Sequence, residues 1–182
     1  MLANTSARYG LVAQALHWGI FLLFVALFAV ALSMTDMPKG PEKFQLYALH
    51  KSLGVTVLAL ALLRLVWRFT QVQPTAIAAN AAQEKAAKAV HVVLYLLMFA
   101  LPVTGYVMSM AGGHGISVFG LFDLPVLIGK NEELGETAED FHGALAWFAL
   151  AVIVVHWAAA VFHHRVLKDD TLRRMLPLSL RS

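Results

Sequence analysis

The 182-residue chain has no cysteine. That removes disulfides, thiolate metal sites, iron–sulfur ligation and the thioether attachment of a c-type haem. Charge is also scarce, with Asp, Glu, Lys and Arg at 14% of residues against roughly 25% in soluble domains. Hydrophobic residues reach 59% and mean hydropathy is +0.69, which excludes an ordinary water-soluble globule. There is no zinc-finger spacing, glycine-rich phosphate loop or nucleophile elbow. Internal repeats and low-complexity tracts are absent as well.

What the chain does have is long apolar runs. Four of them, at about 12–34, 47–68, 87–110 and 141–163, match the ~20 residues a spanning helix needs. The expected fold is an all-α, four-helix membrane bundle comprising a single domain over residues 1–182. A secretory signal is the competing reading of the first run, since Arg8 precedes it and Ala29-Val30-Ala31 resembles a cleavage site. The run exceeds the roughly 7–15 residues of a signal core, however, and its removal leaves an odd number of spans. Pro102 is expected to kink the third helix. Ala76 to Ala89 is an alanine-rich connector expected to start that helix early. The stretch Ala111 to Asp140 is expected to be a long loop, flexible at Gly112-Gly113-His114-Gly115 and interfacial from Gly120 to Ile128.

The loop charges set an orientation. Arg8, Arg64, Arg68, Lys85, Lys88, Arg165, Lys168, Arg173, Arg174 and Arg181 fall on one side, ten basic residues against the four of Lys39, Lys43, Lys51 and Lys130. The positive-inside rule then places both termini in the cytoplasm. The net charge of +3 thus reports topology, and no nucleic-acid partner is expected.

Eight histidines stand out against this background. An ionisable side chain inside a span is costly and marks a functional candidate. His142 and His156 are fourteen residues apart, so at roughly 100° per residue they lie within about 40° on one helix face and about 21 Å apart along it. One ion cannot bind both. His17 opens the first span at the cytoplasmic side and His50 opens the second at the outer side, so depth proposes two pairs, His17 with His156 and His50 with His142. Two imidazoles at one depth on facing helices are what a non-covalent, bis-histidine b-type haem requires. Gly54, Ala146 and Ala160 each lie four residues after such a histidine, where a flat macrocycle needs room; Phe21, four after His17, fits less well.

The remaining candidates keep two readings each. His91 lines a quinone or propionate pocket, or is an interfacial residue without a partner on the fourth helix. Arg64 and Arg68 neutralise a haem propionate or attract a quinone head group, or else anchor the helix at the membrane surface. His163 and His164 read as cytoplasmic anchors or pocket residues, and His114 as a solvated loop residue.

At this point the chain resembles the bacterial cytochrome b561 family. The resemblance is carried by Leu16-His17-Trp18; His50 with Gly54, Arg64 and Arg68; His91 with Tyr95, Pro102 and Gly105; His142 with His156; and the closing run Lys168-Asp169-Asp170-Thr171-Leu172-Arg173-Arg174-Met175-Leu176-Pro177. It implies two b haems on the same two histidine pairs, exchange of electrons with ubiquinone, and a periplasmic redox partner. In some members superoxide is oxidised at the outer face, which would make this chain an oxidoreductase passing electrons from superoxide to ubiquinone. Related domains serve as electron-conducting cytochrome b subunits of larger respiratory enzymes. A reading of another class, a membrane anchor or a metal transporter, needs carboxylates beside the histidines, yet only Glu84 and Asp140 approach the spans and both stand at margins.

Overall fold

In a computed structural model, residues 1–78 and 80–177 are described; Arg181, one of the ten basic residues counted above, lies outside them. Four helices follow one another: α1 (Leu11–Thr35), α2 (Pro41–Thr70), α3 (Ala81–Ala111) and α4 (Glu132–Phe162). All four are long and apolar enough to cross a membrane. At 1.5 Å per residue the longer ones reach about 46 Å, so they overrun a hydrocarbon layer of about 30 Å by several turns.

The helix ends follow capping chemistry more than hydropathy. Pro41 sits at the start of α2, where its missing N–H costs nothing. The Asn80 side chain accepts from Gln83 N and starts α3 at Ala81, so the alanine-rich connector joins that helix only from there. The Asn131 side chain accepts from Leu134 N, and Glu132 and Glu133 fill the first turn of α4. This corrects the expected loop of Ala111 to Asp140. Helix α4 begins nine residues before Phe141, because charge stops the apolar run without stopping the helix.

The shortened connection, residues 112–131, folds onto the bundle end as a small hairpin. Ser117–Val118 pairs antiparallel with Phe122–Asp123, around a turn in which Phe119 and Gly120 both have positive φ (51° and 71°). Buried Ser52 of α2 clamps it. Its Oγ accepts from Phe119 N (2.9 Å) and lies within hydrogen-bonding reach of the Ala48 and Ser117 carbonyls (2.8 and 3.3 Å). From α3, the Tyr106 hydroxyl donates to Pro125 O and accepts from Leu127 N. Met110, Ile116 and Val118 close a small core beneath.

At the opposite end the chain after α4 tightens into a π-turn over His163–Leu167 and stops at Lys168, with φ of 55°. There His163 Nδ1 meets Asp169 Oδ2 at 2.6 Å, and Asp169 Oδ1 accepts from Thr171 N at 2.8 Å. His163 is therefore a tail anchor. The tail then crosses to α1, where Trp18 Nε1 donates to Met175 O and Gln14 Nε2 to Arg174 O. Arg174 in turn donates to Thr75 O.

Replacing Ser52 by Ala removes the acceptor of the part-buried Phe119 N–H bond, at an expected cost of about 1 kcal/mol. The thermal midpoint in detergent should fall and proteolysis within 115–128 should accelerate; an unchanged midpoint and cleavage rate count against the clamp. At the other end, partial burial pushes the Asp169 carboxyl up, but the bonds from Thr171 and His163 outweigh it and hold its pKa below the ordinary 3.8. A depressed carboxyl stabilises the docked tail above that ordinary value and loses the contribution as pH falls through the depressed one. Amides of 168–177 should stay protected from hydrogen exchange between pH 7 and 5 and lose protection at pH 7 in Asp169→Ala. Equal protection in the variant rules the anchor out.

Candidate functional site

Each helix carries polar side chains into an otherwise apolar bundle, and they gather at two levels. At the end bearing the termini, the rings of His17 (α1) and His156 (α4) stand with centroids 6.2 Å apart and planes at 76°. At the hairpin end, His50 (α2) and His142 (α4) stand 6.3 Å apart, also at 76°. All four imidazoles are half-buried.

The spacing is informative. Two metal–imidazole bonds of about 2 Å and the reach from each nitrogen to its ring centre together put centroids about 6 Å apart across a shared ion. Among the described residues no group of three or more His, Asp or Glu side chains converges as a protein metal cage would. The donor set consists of imidazole pairs, which suits a metal whose other ligands come from a macrocycle. Among the described residues, His50 Nδ1 and Arg64 Nη1 are buried without a hydrogen bond of ordinary geometry, although the Leu27 carbonyl faces the His50 ring, so each retains bonding capacity. Gly54 leaves open space beside His50, since a Cβ there would meet nothing within 4 Å. The residues therefore fit a haem at each level.

At the terminal end the space is a cavity. Its volume is ≈ 260 Å³ and it is partly open to the outside, close to the lower end of the ~300–1,000 Å³ of small-molecule sites. His17, Arg64, Arg68, His91, Tyr95 and His156 line it. Phe21 lines it too, turned edge-on against Trp18, so its bulk borders the space instead of filling it. The tail residues Thr171, Leu172 and Met175 form part of the same wall.

Two findings correct or extend the sequence reading. His91 does have a neighbour on the fourth helix: its ring centroid is 5.3 Å from that of His156. Depth had put His91 at the right end, but nothing local to α3 reveals which helix its ring meets. Arg64 and Arg68 point inward as a pair, with their guanidinium carbons 5.9 and 5.8 Å from the Tyr95 ring and Arg64 Nε donating to the Tyr95 hydroxyl (3.2 Å). Thr104 and Gly105 of α3, which contact His142, were missed as site residues. A threonine and glycine just after an intrahelical proline in an apolar run was the available signal. His114 is exposed on the hairpin-side loop.

The family model described as prokaryotic cytochrome b561 matches residues 8–178. Cytochrome b561 homolog 2 of Escherichia coli (strain K12) is 36% identical over 181 residues, 95% of this chain and 93% of the relative. Cytochrome b561 homolog 1 of the same organism is 33% identical over 165 residues, 89% and 93% respectively. The probable superoxide oxidase CybB of Yersinia pestis is 30% identical over 174 residues, 93% and 96%. With four membrane-spanning-capable helices and a family match over nearly its whole length, the chain belongs to the prokaryotic cytochrome b561 family, multi-pass membrane cytochromes of electron transport whose membership implies b-type haem.

Proposed function

We propose that this protein is a di-haem b-type cytochrome of the bacterial inner membrane that moves electrons between the quinone pool and a periplasmic donor or acceptor. The observation that carries the reading is the pair of 6 Å imidazole gaps, one at each end of the bundle, both anchored on α4. His17 with His156 and His50 with His142 would hold the two haems. Bound haem would supply one-electron chemistry at iron. The imidazoles would serve as neutral donors and take no part in proton transfer while bound.

Arg64 and Arg68 supply two cations at the wall of the terminal-end cavity, where carboxylates of a macrocycle or the carbonyls of a quinone are favoured partners. His91, beside His156, completes the polar face of that cavity. The termini and their basic residues are assigned to the cytoplasm, which puts the hairpin end and the His50/His142 pair at the periplasmic face.

The name of one relative, a probable superoxide oxidase, supports superoxide as the donor, and ubiquinone as acceptor is what the family resemblance implies. Lys51, adjoining His50 in α2, is the cation placed to draw an anion there, its Nζ 3.4 Å from Gly115 O. Lys130 is instead taken up by Glu132, and Lys43 by the Met37 carbonyl.

Purified protein should show a reduced-minus-oxidised b-type spectrum and two acid-extractable haems per chain. His142→Ala should keep the haem at the terminal end and lose the other, and His156→Ala should do the converse. Loss of both haems from each single replacement breaks the pairing, and a colourless wild-type protein breaks the reading altogether. Stopped-flow reduction by superoxide against quinol then identifies the donor.

A further inference from the structure

Among the described residues, His142 has a side-chain hydrogen-bond partner and also faces the Leu101 carbonyl, whereas the buried Nδ1 of His50 makes no hydrogen bond of ordinary geometry. The partner of His142 is on α3, not on its own helix. Thr104 Oγ1 stands 3.0 Å from His142 Nδ1, 2.9 Å from Ala100 O and 3.0 Å from Leu101 O. A hydroxyl has one proton and two acceptor lone pairs, while a carbonyl oxygen can only accept. With two backbone carbonyls in reach, the Thr104 proton goes to the helix, and its oxygen is left to accept. The bond to the ring then runs from Nδ1–H to Oγ1. In a neutral imidazole with its proton on Nδ1, Nε2 carries the free lone pair.

The next residue controls the ring from another side. A Cβ built on Gly105 would come within 3.3 Å of His142 Cε1 and 3.5 Å of Nδ1. Any side chain there would press on the ring, so glycine lets α3 pass this close to it. Both residues lie within one turn of Pro102, the proline inside α3.

We propose that Thr104 is the positioning residue for His142: it holds the proton on Nδ1, orients the ring over Gly105 and leaves Nε2 as the ligand atom. The proposal rests on the bis-histidine reading of that pair. An N–H donated to a fixed acceptor also makes an imidazole a stronger donor to its metal, which favours the oxidised ion. The haem at the hairpin end should therefore be harder to reduce than it would be without this bond. The haem at the terminal end is untouched by it.

The test is potentiometry of the purified holoprotein with Thr104→Val and Thr104→Ser, reading the α-band of each haem separately. The valine keeps the shape and removes the acceptor; the serine restores it. The valine variant should shift the reduced-to-oxidised ratio of one haem about tenfold towards reduced, a rise of about 59 mV for one electron. The other haem should keep its potential, and the serine variant should match wild type at both. Loss of one haem in the valine variant, with both retained and unshifted in the serine variant, supports the proposal equally. Unchanged potentials in the valine variant, or serine behaving like valine, overturn it while leaving the haem reading intact. A wild-type protein without two haems overturns the bis-histidine reading itself, and with it the proposal.

Discussion

A histidine in a membrane span is tolerated where its nitrogens have something to bind, because an unpaired polar group in an apolar surround costs several kcal/mol. The whole bundle is arranged around that requirement. Successive helices pack side by side, α1 on α2, α2 on α3 and α3 on α4, whereas α4 makes its close backbone contacts with α3 and with its own continuation. Across the wider gaps, α4 meets α1 through His17 and His156, and α2 through His50 and His142. The tight core lies between these two levels. Ile20, Phe24, Val57, Ala61, Leu97, Met98, Leu101 and Ala149 form it, with Ala149 midway along α4 between its two histidines. An apolar layer thus separates the two histidine levels, and Ile20, Phe24, Leu97, Met98 and Ala149 of that layer also line the terminal-end cavity.

The two levels differ in what surrounds them, and the difference is electrostatic. Arg64, Arg68 and the tail close the terminal end, so cations are plentiful and an anionic or carbonyl-bearing group is favoured there. The hairpin end is flanked by the first turns of α4, where Glu132, Glu133, Glu136, Glu139 and Asp140 cluster. Glu132 and Glu133, in the first turn, are favoured there by the helix dipole, so part of this charge has a structural reason that is independent of any substrate.

Hydropathy made the four spans legible because spanning is a local property: a window of apolar residues is sufficient. The depths of His17, His50, His142 and His156 were legible for a related reason, since helical rise and twist carry position along the chain into position in space. Contacts that depend on rotation about a helix axis were not legible. His91 was placed at the correct end, yet its approach to His156 depends on how α3 turns against α4. The helical turns of α4 before Phe141 escaped notice because the signal for them, Asn131 followed by two glutamates, is a capping signal hidden in a charged stretch. The hairpin was invisible for a third reason: Ser52 and Tyr106, far away in sequence, satisfy its backbone.

Because α4 serves both levels, its rotation about its own axis is the quantity the structure most needs to fix. A turn of the helix would displace His142 and His156 together, as they share one face. The fixing comes from α3. At the hairpin end Asn131 N donates to Ala111 O at 2.9 Å, and a Cβ on Gly135 would meet Gly112 N at 3.3 Å. Farther along, Gly105 brings α3 against the His142 ring and Thr104 bonds it. Small residues thus let the two backbones approach closely, and hydrogen bonds then select one rotation among those the packing permits. Helix α3 supplies neither histidine of either pair, yet it is the template against which both are set.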